Sequence, residues 1–389
     1  MNLHLMCDEK VISRTIASFE KVLPNQNKYI ILVPNVDYKC KHVHLTSSNV
    51  HYLVYDTPLF WNTIGDVKQY KNIIIHFLTD EDCYFINKIN HPSITWIVWG
   101  ADLYNDMLDK VGFKLYADEK LINDSLISSA SERNKLSTLK TWVKNCMPLL
   151  TRLIRKSKHL KVLKQRLKAV EKINYVAISP GDFSLLLHYF PQYQHLKQKN
   201  FFYYPINEII PKDFLSSASL GNNIIIGNSA SFTNNHIYVM KKLAKVDYGS
   251  RKILMPLSYG GNDYYVNKVI ETGKILLGDN YEPIIDFMSL QQYNKLLLSS
   301  STYIYGNFRQ EAFGNILTGL YVGATVFMEG TSPLLHDLKQ KGFLLFSLDQ
   351  LKDKINYHLT NEEIMHNREI ALSEYSEEKL MRYIKESFA

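Results

Sequence analysis

Apolar positions along this chain follow two rhythms. Short runs of β-branched and aromatic residues bounded by turn residues recur from end to end, and stretches with apolar residues three and four apart separate most of them. The runs at 29–33, 73–77, 94–98, 175–179, 201–204, 223–226, 253–257, 275–277, 302–305, 325–328 and 343–346 are predicted as strands. Strand and helix in alternation imply parallel sheets, because a parallel neighbour is reached only through a crossover connection.

Boundary residues support the helices between them. Asp182 follows Pro180-Gly181 as an N-cap, with Phe183, Leu186, Leu187 and Phe190 on one face beyond it. Ser332-Pro333 starts a helix that Gly342 ends, and the capping box Thr360-Asn361-Glu362-Glu363 opens a last long helix towards the C-terminus. Residues 205–223 carry Pro205, Pro211, Ser216, Ser217, Ser219 and Gly221 and read as a linker. The expected division is therefore an N-terminal domain over 1–210 and a C-terminal domain over 211–389. Residues 105–171 are too long for one crossover and are expected to hold at least two helices.

The second of those helices is strongly basic. Between 151 and 172 stand Arg152, Arg155, Lys156, Lys158, Lys161, Lys164, Arg166, Lys168 and Lys172 against the single acid Glu171, with Leu160, Leu163, Leu167 and Val170 as a narrow apolar stripe. Such a helix can lie on an anionic membrane surface. The competing reading is a solvated face whose stripe packs on the domain. Over all 389 residues the net charge is only +7, and 46% hydrophobic content with 21% charged residues is that of a folded globular protein that does not bind nucleic acid. No signal peptide or bilayer-length apolar run is visible, and Cys7, Cys40, Cys83 and Cys146 form no CxxC pair, so a cytoplasmic protein with reduced thiols, peripheral on the inner face of the membrane, is expected.

Candidate chemistry sits where predicted strands end. Phe308-Arg309-Gln310-Glu311-Ala312-Phe313-Gly314-Asn315 follows one strand and precedes a helix, where a glycine lets a phosphate approach free backbone N–H groups. Arg309 is suited to the charge of a diphosphate leaving group. Gly227-Asn228-Ser229 ends the first strand of the second half; beyond it Asn234 is placed as a cap and His236 in the first helical turn, where the dipole keeps imidazole neutral. In the first half Asp102 follows an apolar strand and reads equally as a general base or as a helix cap, with His76 the competing base. Asp80-Glu81-Asp82 reads as a solvated helix start, so no DxD metal motif is assigned and a metal-independent mechanism without cofactor is expected.

Glu311-Ala312-Phe313-Gly314-Asn315-Ile316-Leu317, followed by Gly323-Ala324-Thr325-Val326-Phe327, resembles the donor-site signature of GT-B glycosyltransferases. That resemblance implies an α/β fold of two Rossmann-like domains facing a central cleft. Gly319 stands where many such enzymes place a ribose-binding Glu, which suits a deoxyribose donor. Ile226-Gly227-Asn228-Ser229, Asn234-Asn235-His236-Ile237 and Trp99-Gly100-Ala101-Asp102-Leu103-Tyr104 resemble the TDP-N-acetylfucosamine:lipid II N-acetylfucosaminyltransferases, as do His76, Gly181-Asp182 and Pro256 with Tyr259. The family implies a dTDP-linked 4-acetamido-4,6-dideoxygalactose donor, a polyprenyl-diphosphate saccharide acceptor, and inverting transfer. Donor contacts would fall to Gly227, Asn228, Ser229, Asn234, His236, Tyr259, Arg309, Glu311, Gly314 and Asn315, and acceptor activation to Asp102 or His76. Two rivals remain, a nucleotide-sugar 2-epimerase of similar fold and a non-catalytic nucleotide-binding protein.

Overall fold

The computed structural model describes residues 1–134, 148–210 and 220–389, and among these the side chains of all but 129–159. Cys146, the linker residues Pro211, Ser216, Ser217 and Ser219, and the side chains of Arg152, Arg155, Lys156 and Lys158 lie outside the described residues. The chain divides into two compact units, one built from Met1–Phe113, Leu153–Pro205 and Tyr375–Ala389, the other from Lys114–Arg152 and Ile206–Glu374.

The first unit carries seven parallel strands, β1 (Asn2–Cys7), β2 (Asn27–Leu32), β3 (Val50–Leu53), β4 (Asn72–His76), β5 (Ile94–Ile97), β6 (Tyr175–Ala177) and β7 (Lys197–Lys199), in the order β3-β2-β1-β4-β5-β6-β7. The central strands are apolar on both faces, as covered parallel strands must be, and Ile73, Ile74 and Ile75 are fully buried. The predicted strand at 201–204 does not form; the edge strand is the polar Lys197–Lys199, whose lysines suit an unpaired edge. Phe201 instead packs on Phe19 and Phe388, and Phe202 on Tyr375 and Tyr383.

Six parallel strands make the second sheet: β8 (Asn223–Ile226), β9 (Ile253–Pro256), β10 (Tyr281–Ile284), β11 (Ser300–Tyr305), β12 (Thr325–Met328) and β13 (Phe346–Ser347), ordered β10-β9-β8-β11-β12-β13. Residues 275–277 are the last turn of the helix Asp263–Leu277, not a strand. Tyr265, Val269, Gly273 and Leu277 line its buried face every four residues, a period that a three-residue apolar run conceals.

Helix starts also differ in detail. Ser179, not Asp182, caps the helix Pro180–Tyr189; its side chain accepts from the Asp182 N–H, and Asp182 is buried and accepts from the Tyr104 hydroxyl. The Thr360 capping box forms as expected, with Glu363 N–H on Thr360 Oγ1 at 3.3 Å and Thr360 N–H on Glu363 Oε2 at 2.8 Å. Its helix stops at Glu374, and Ser376 caps a separate one, Glu377–Phe388. That last helix buries Leu380, Ile384 and Phe388 beside Ile12, Ile16 and Phe19 in the first unit. Asn2 and Asn72 donate to the Phe388 carbonyl at 3.2 and 3.3 Å, and Lys199 to that of Ser387 at 2.6 Å.

The basic helix spans Pro148–Glu171. Among its described side chains Arg166, Ala169 and Val170 are buried, whereas Leu160 of the expected stripe is 56% exposed. Arg166 reaches the Leu78 carbonyl and the carboxylates of Asp80 and Asp106, the latter two at 3.0 and 3.2 Å. Lys172 donates to the carbonyls of Asn87 and Ile89 at 2.9 and 2.8 Å, where cations favour a helix C-terminus. Among the described residues no helix is long and apolar enough to cross a membrane.

Candidate functional site

At the carboxyl edge of the second sheet the chain leaves its strands through left-handed residues. Gly227 leaves β8 with φ +67°, a conformation that disfavours any side chain. A Cβ there would stand 2.9 Å from Asn234 Oδ1 and 3.2 Å from His236 Nε2. The Gly227 backbone is thus closely faced by two polar atoms, which leave no room for a side chain. Neither carries a hydrogen bond, although both residues are fully buried. Orphaned buried polar atoms are costly in a native fold and point to a partner that arrives later.

Both side chains are held from behind. Asn234 is not the helix cap; its Nδ2 ties back to Ser229, at 3.2 Å from the carbonyl and 3.3 Å from Oγ. Asn235 takes the cap position of the helix His236–Leu243 in the left-handed region, and its side chain donates to the carbonyls of Thr233 at 3.1 Å and Gly306 at 2.9 Å. His236 binds the Tyr265 hydroxyl through Nδ1 at 3.0 Å. Burial lowers its pKa to about 4, against a smaller opposing pull from the Ser229 backbone, so the ring is neutral near pH 7. Asn228 Oδ1 is a further buried oxygen without a partner.

Beside this turn the loop after β11 carries a compact ionic knot. Glu311 Oε2 accepts from Arg309 Nε at 3.0 Å, from Asn307 Nδ2 at 3.0 Å, and from the Thr233 hydroxyl. Ala312, at φ +57°, then turns the chain into the helix Phe313–Val322. A Cβ on Gly314 would meet only Ile209 Cγ2 at 3.7 Å, so packing does not demand glycine there. Gly319 is the opposite case: a Cβ would lie 2.7 Å from the Tyr303 ring. Its lack of a side chain has a packing cause, since the helix lies flush on β11. Tyr259 is 56% exposed on the neighbouring loop, and its carbonyl accepts from the Ala230 N–H at 2.7 Å.

Sequence reasoning missed Thr233, Asn307 and Tyr265, which hold Glu311 and His236 in place. It also missed Glu329, buried at the end of β12, where it accepts from the Tyr238 hydroxyl at 2.8 Å. The available signal was position: Glu329 follows β12 directly, and Asn307 stands two residues beyond β11.

At the carboxyl edge of the first sheet the arrangement is different. Asp102 is fully buried; Oδ1 accepts from the N–H groups of Trp99 and Gly100 at 3.1 and 3.0 Å, and Oδ2 from Leu78 N–H at 3.0 Å and Trp96 Nε1 at 2.7 Å. Burial raises its pKa while those donors oppose the rise. His76 is also buried, with Nε2 3.1 Å from His4 Nδ1 and Nδ1 3.1 Å from the Tyr203 hydroxyl. Asp80-Glu81-Asp82 starts a helix with Asp80 and Glu81 open to solvent, but Asp82 is buried in a capping box with Thr79, and burial raises its pKa to about 7. Among the described residues no three His, Cys, Asp or Glu side chains group to hold a metal ion.

A sequence profile of 4-alpha-L-fucosyltransferases, glycosyl transferase group 56, matches residues 153–376, more than half of the chain. Solved structures match along nearly the whole length at low identity. A glycosyltransferase from Rickettsia africae ESF-5 is 12% identical, with TM-score 0.58, covering 100% of this chain and 97% of that one. Anabaena HepE in complex with UDP and glucose is 13% identical, with TM-score 0.58 and coverage of 99% and 98%. An Escherichia coli trehalose-6-phosphate protein bound with UDP-2-fluoro glucose is 9% identical, with TM-score 0.56 and coverage of 99% and 97%. These likenesses establish the fold: two parallel α/β sheets of seven and six strands in the GT-B architecture.

Proposed function

Because the chain belongs to the 4-alpha-L-fucosyltransferase family, glycosyl transferase group 56, and is a GT-B glycosyltransferase, we propose that it transfers a dTDP-linked 4-acetamido-4,6-dideoxygalactose or close relative. The acceptor in this reading is a polyprenyl-diphosphate saccharide, and the product serves surface polysaccharide synthesis. One observation carries the donor assignment: the turn at Gly227, closely faced by the unpartnered Asn234 Oδ1 and His236 Nε2. Ligands of open parallel sheets bind beyond the carboxyl ends of the strands, and this turn lies there.

In this mechanism the nucleotide sugar lies against the second sheet with its diphosphate near Gly314, Asn315 and Arg309. Glu311 holds the Arg309 guanidinium in a fixed orientation, so the cation needs no reorganisation when charge develops on the leaving oxygen. Neutral His236 supplies a hydrogen-bonding nitrogen without adding charge, and Asn228, Ser229 and Tyr259 line the same edge. No metal enters these steps, because Arg309 supplies the leaving-group charge. Asp102 acts by holding the loop at Trp99 and Gly100, since each of its two oxygens already accepts two hydrogen bonds.

The lipid-borne acceptor is supported by the basic helix. Lys161, Lys164 and Lys168 are exposed at helical spacing beside the exposed Leu160. Each cation near anionic headgroups contributes about 1 kcal/mol to docking on the inner membrane face.

Thermal shift with dTDP, UDP, GDP and ADP tests the donor assignment on wild type, Arg309→Ala and His236→Gln. Ligand at a hundredfold over Kd stabilises by about 2.7 kcal/mol, a rise of several degrees for a unit of this size. We expect that rise with dTDP and its loss in both variants. HepE holds UDP, so a stronger response to UDP would replace the deoxyribose donor, and no response to any nucleotide would remove the donor site.

A further inference from the structure

Three aromatic side chains meet at the carboxyl edge of the first sheet, all of them half-buried: Phe77 after β4, Trp99 after β5, and Tyr203 beyond β7. The Phe77 and Trp99 ring centroids are 5.4 Å apart, and those of Trp99 and Tyr203 are 5.3 Å apart with planes at 84°. Phe77 has φ +66°, a conformation in which a bulky side chain is strained, and such strain concentrates at functional sites. Its N–H is held by the Ile97 carbonyl at 3.2 Å, and the next residue, Leu78, is held by Asp102.

A directed hydrogen-bond chain fixes the polar ends of these rings. Asn27 donates through Nδ2 to Glu20 Oε1 at 3.1 Å and to the Leu23 carbonyl at 2.8 Å, which leaves its Oδ1 facing His4 Nε2 at 3.3 Å. His4 therefore donates from Nε2, and as a neutral ring it accepts at Nδ1 from His76 Nε2. His76 in turn accepts at Nδ1 from the Tyr203 hydroxyl, whose oxygen accepts from Trp99 Nε1. Every polar hydrogen in the chain points inward, so what Phe77, Trp99 and Tyr203 turn outward is apolar ring surface.

We infer that the acceptor's sugar ring stacks on Trp99, with Phe77 and Tyr203 packed against the indole to complete the platform, and that the His76–His4–Asn27 chain fixes its orientation. The inference rests on the glycosyl-transfer reading with the donor on the second sheet. A pyranose presents a face of C–H groups suited to a rigid aromatic surface, and ordering that surface beforehand lowers the cost of binding. Tyr203 and His76 are positioning residues in this arrangement.

The four tryptophans make the test direct. Indole N–H signals are followed in 15N-tryptophan-labelled full-length protein during titration with methyl glycosides of N-acetylglucosamine, glucose and galactose, and separately with dTDP. Trp99→Phe identifies the Trp99 signal. We expect the Trp99 signal to move with at least one glycoside while the other three stay, and Trp99→Leu to weaken that binding about tenfold or more. Tyr203→Phe, which removes one hydroxyl, should shift the Trp99 signal before any sugar is added and weaken binding about threefold. If Trp99→Leu fails to fold, Tyr203→Phe carries the test. A Trp99 signal unmoved by every glycoside, or moved only by dTDP, overturns the platform. Thermal response to dTDP on the same samples reports on the donor site, so either assignment can fail alone.

Discussion

The two sheets end in loops of the same topological kind, yet their polar groups are in opposite condition. Behind the first edge, Asp102 takes four donors and His76 is bonded at both nitrogens. At the second edge, Asn228 Oδ1, Asn234 Oδ1, Asn307 Oδ1 and His236 Nε2 are buried without partners. The first edge is not wholly satisfied: Asp82 Oδ1 and the Tyr55 hydroxyl, just beyond β3, also lack partners, and burial raises the Asp82 carboxyl to about 7. The difference teaches that carboxylates and imidazoles at strand ends are not equivalent candidates for chemistry. Satisfied groups build the frame, while buried groups without partners are the better candidates for binding a ligand.

Removing the carboxylate of Asp102 should break the frame of the first unit alone. Asp102→Ala strands three backbone N–H groups and the Trp96 indole N–H in the interior, a loss of about 3–5 kcal/mol. Differential scanning calorimetry should show that loss, with the response to dTDP retained in the second unit. Full stability with abolished turnover would instead make Asp102 the general base.

His236 should give the second unit an acid sensitivity of its own. Its folded pKa, about 4, lies below the unfolded value of 6.5, so the unfolded chain binds the proton more readily. Its contribution is fully present above pH 6.5 and is lost as pH falls towards 4. Relative to His236→Gln, whose side chain does not titrate, wild type should therefore lose about 3 kcal/mol between pH 7 and 4 in denaturant melts. A pH-independent difference between the two proteins would mean that the buried ring is not held neutral.

Smaller and opposite effects are expected from two glycines of one helix. Gly319→Ala should cost about 1–3 kcal/mol by forcing a methyl group into the Tyr303 ring. Gly314→Ala meets open space and should stabilise the free protein by about 0.5–1 kcal/mol while weakening dTDP binding, if a diphosphate approaches the backbone there. Thermal melts with and without dTDP separate the two outcomes.

The alternation of apolar runs made both sheets legible, because buried parallel strands such as Ile73-Ile74-Ile75 and Ile224-Ile225-Ile226 are nearly pure β-branched sequence. The strands that escaped notice were those with interrupted patterns. In β1, His4 is buried within the strand, paid for by its bonds to His76 and Asn27, and β3 is only four residues with a histidine inside. At the candidate site, residue types and order were visible in Gly227, Asn228, Ser229, His236 and Arg309. Their hydrogen-bond state was not, because satisfaction is decided by residues distant in sequence: Tyr265 behind His236, and Thr233 behind Glu311. The role of Gly319 was hidden for the same reason, since Tyr303 across the helix face decides it.

The closing helix Glu377–Phe388 has a consequence for synthesis on the ribosome. Its Leu380, Ile384 and Phe388 cover the first unit's core, and the carbonyl of Phe388 receives the side chains of Asn2 and Asn72. The second unit, Lys114–Arg152 with Ile206–Glu374, can therefore emerge in full while the older N-terminal strands still lack their cover. The half of the molecule translated first is completed last, and during that interval its exposed apolar surface is open to chaperones and to aggregation.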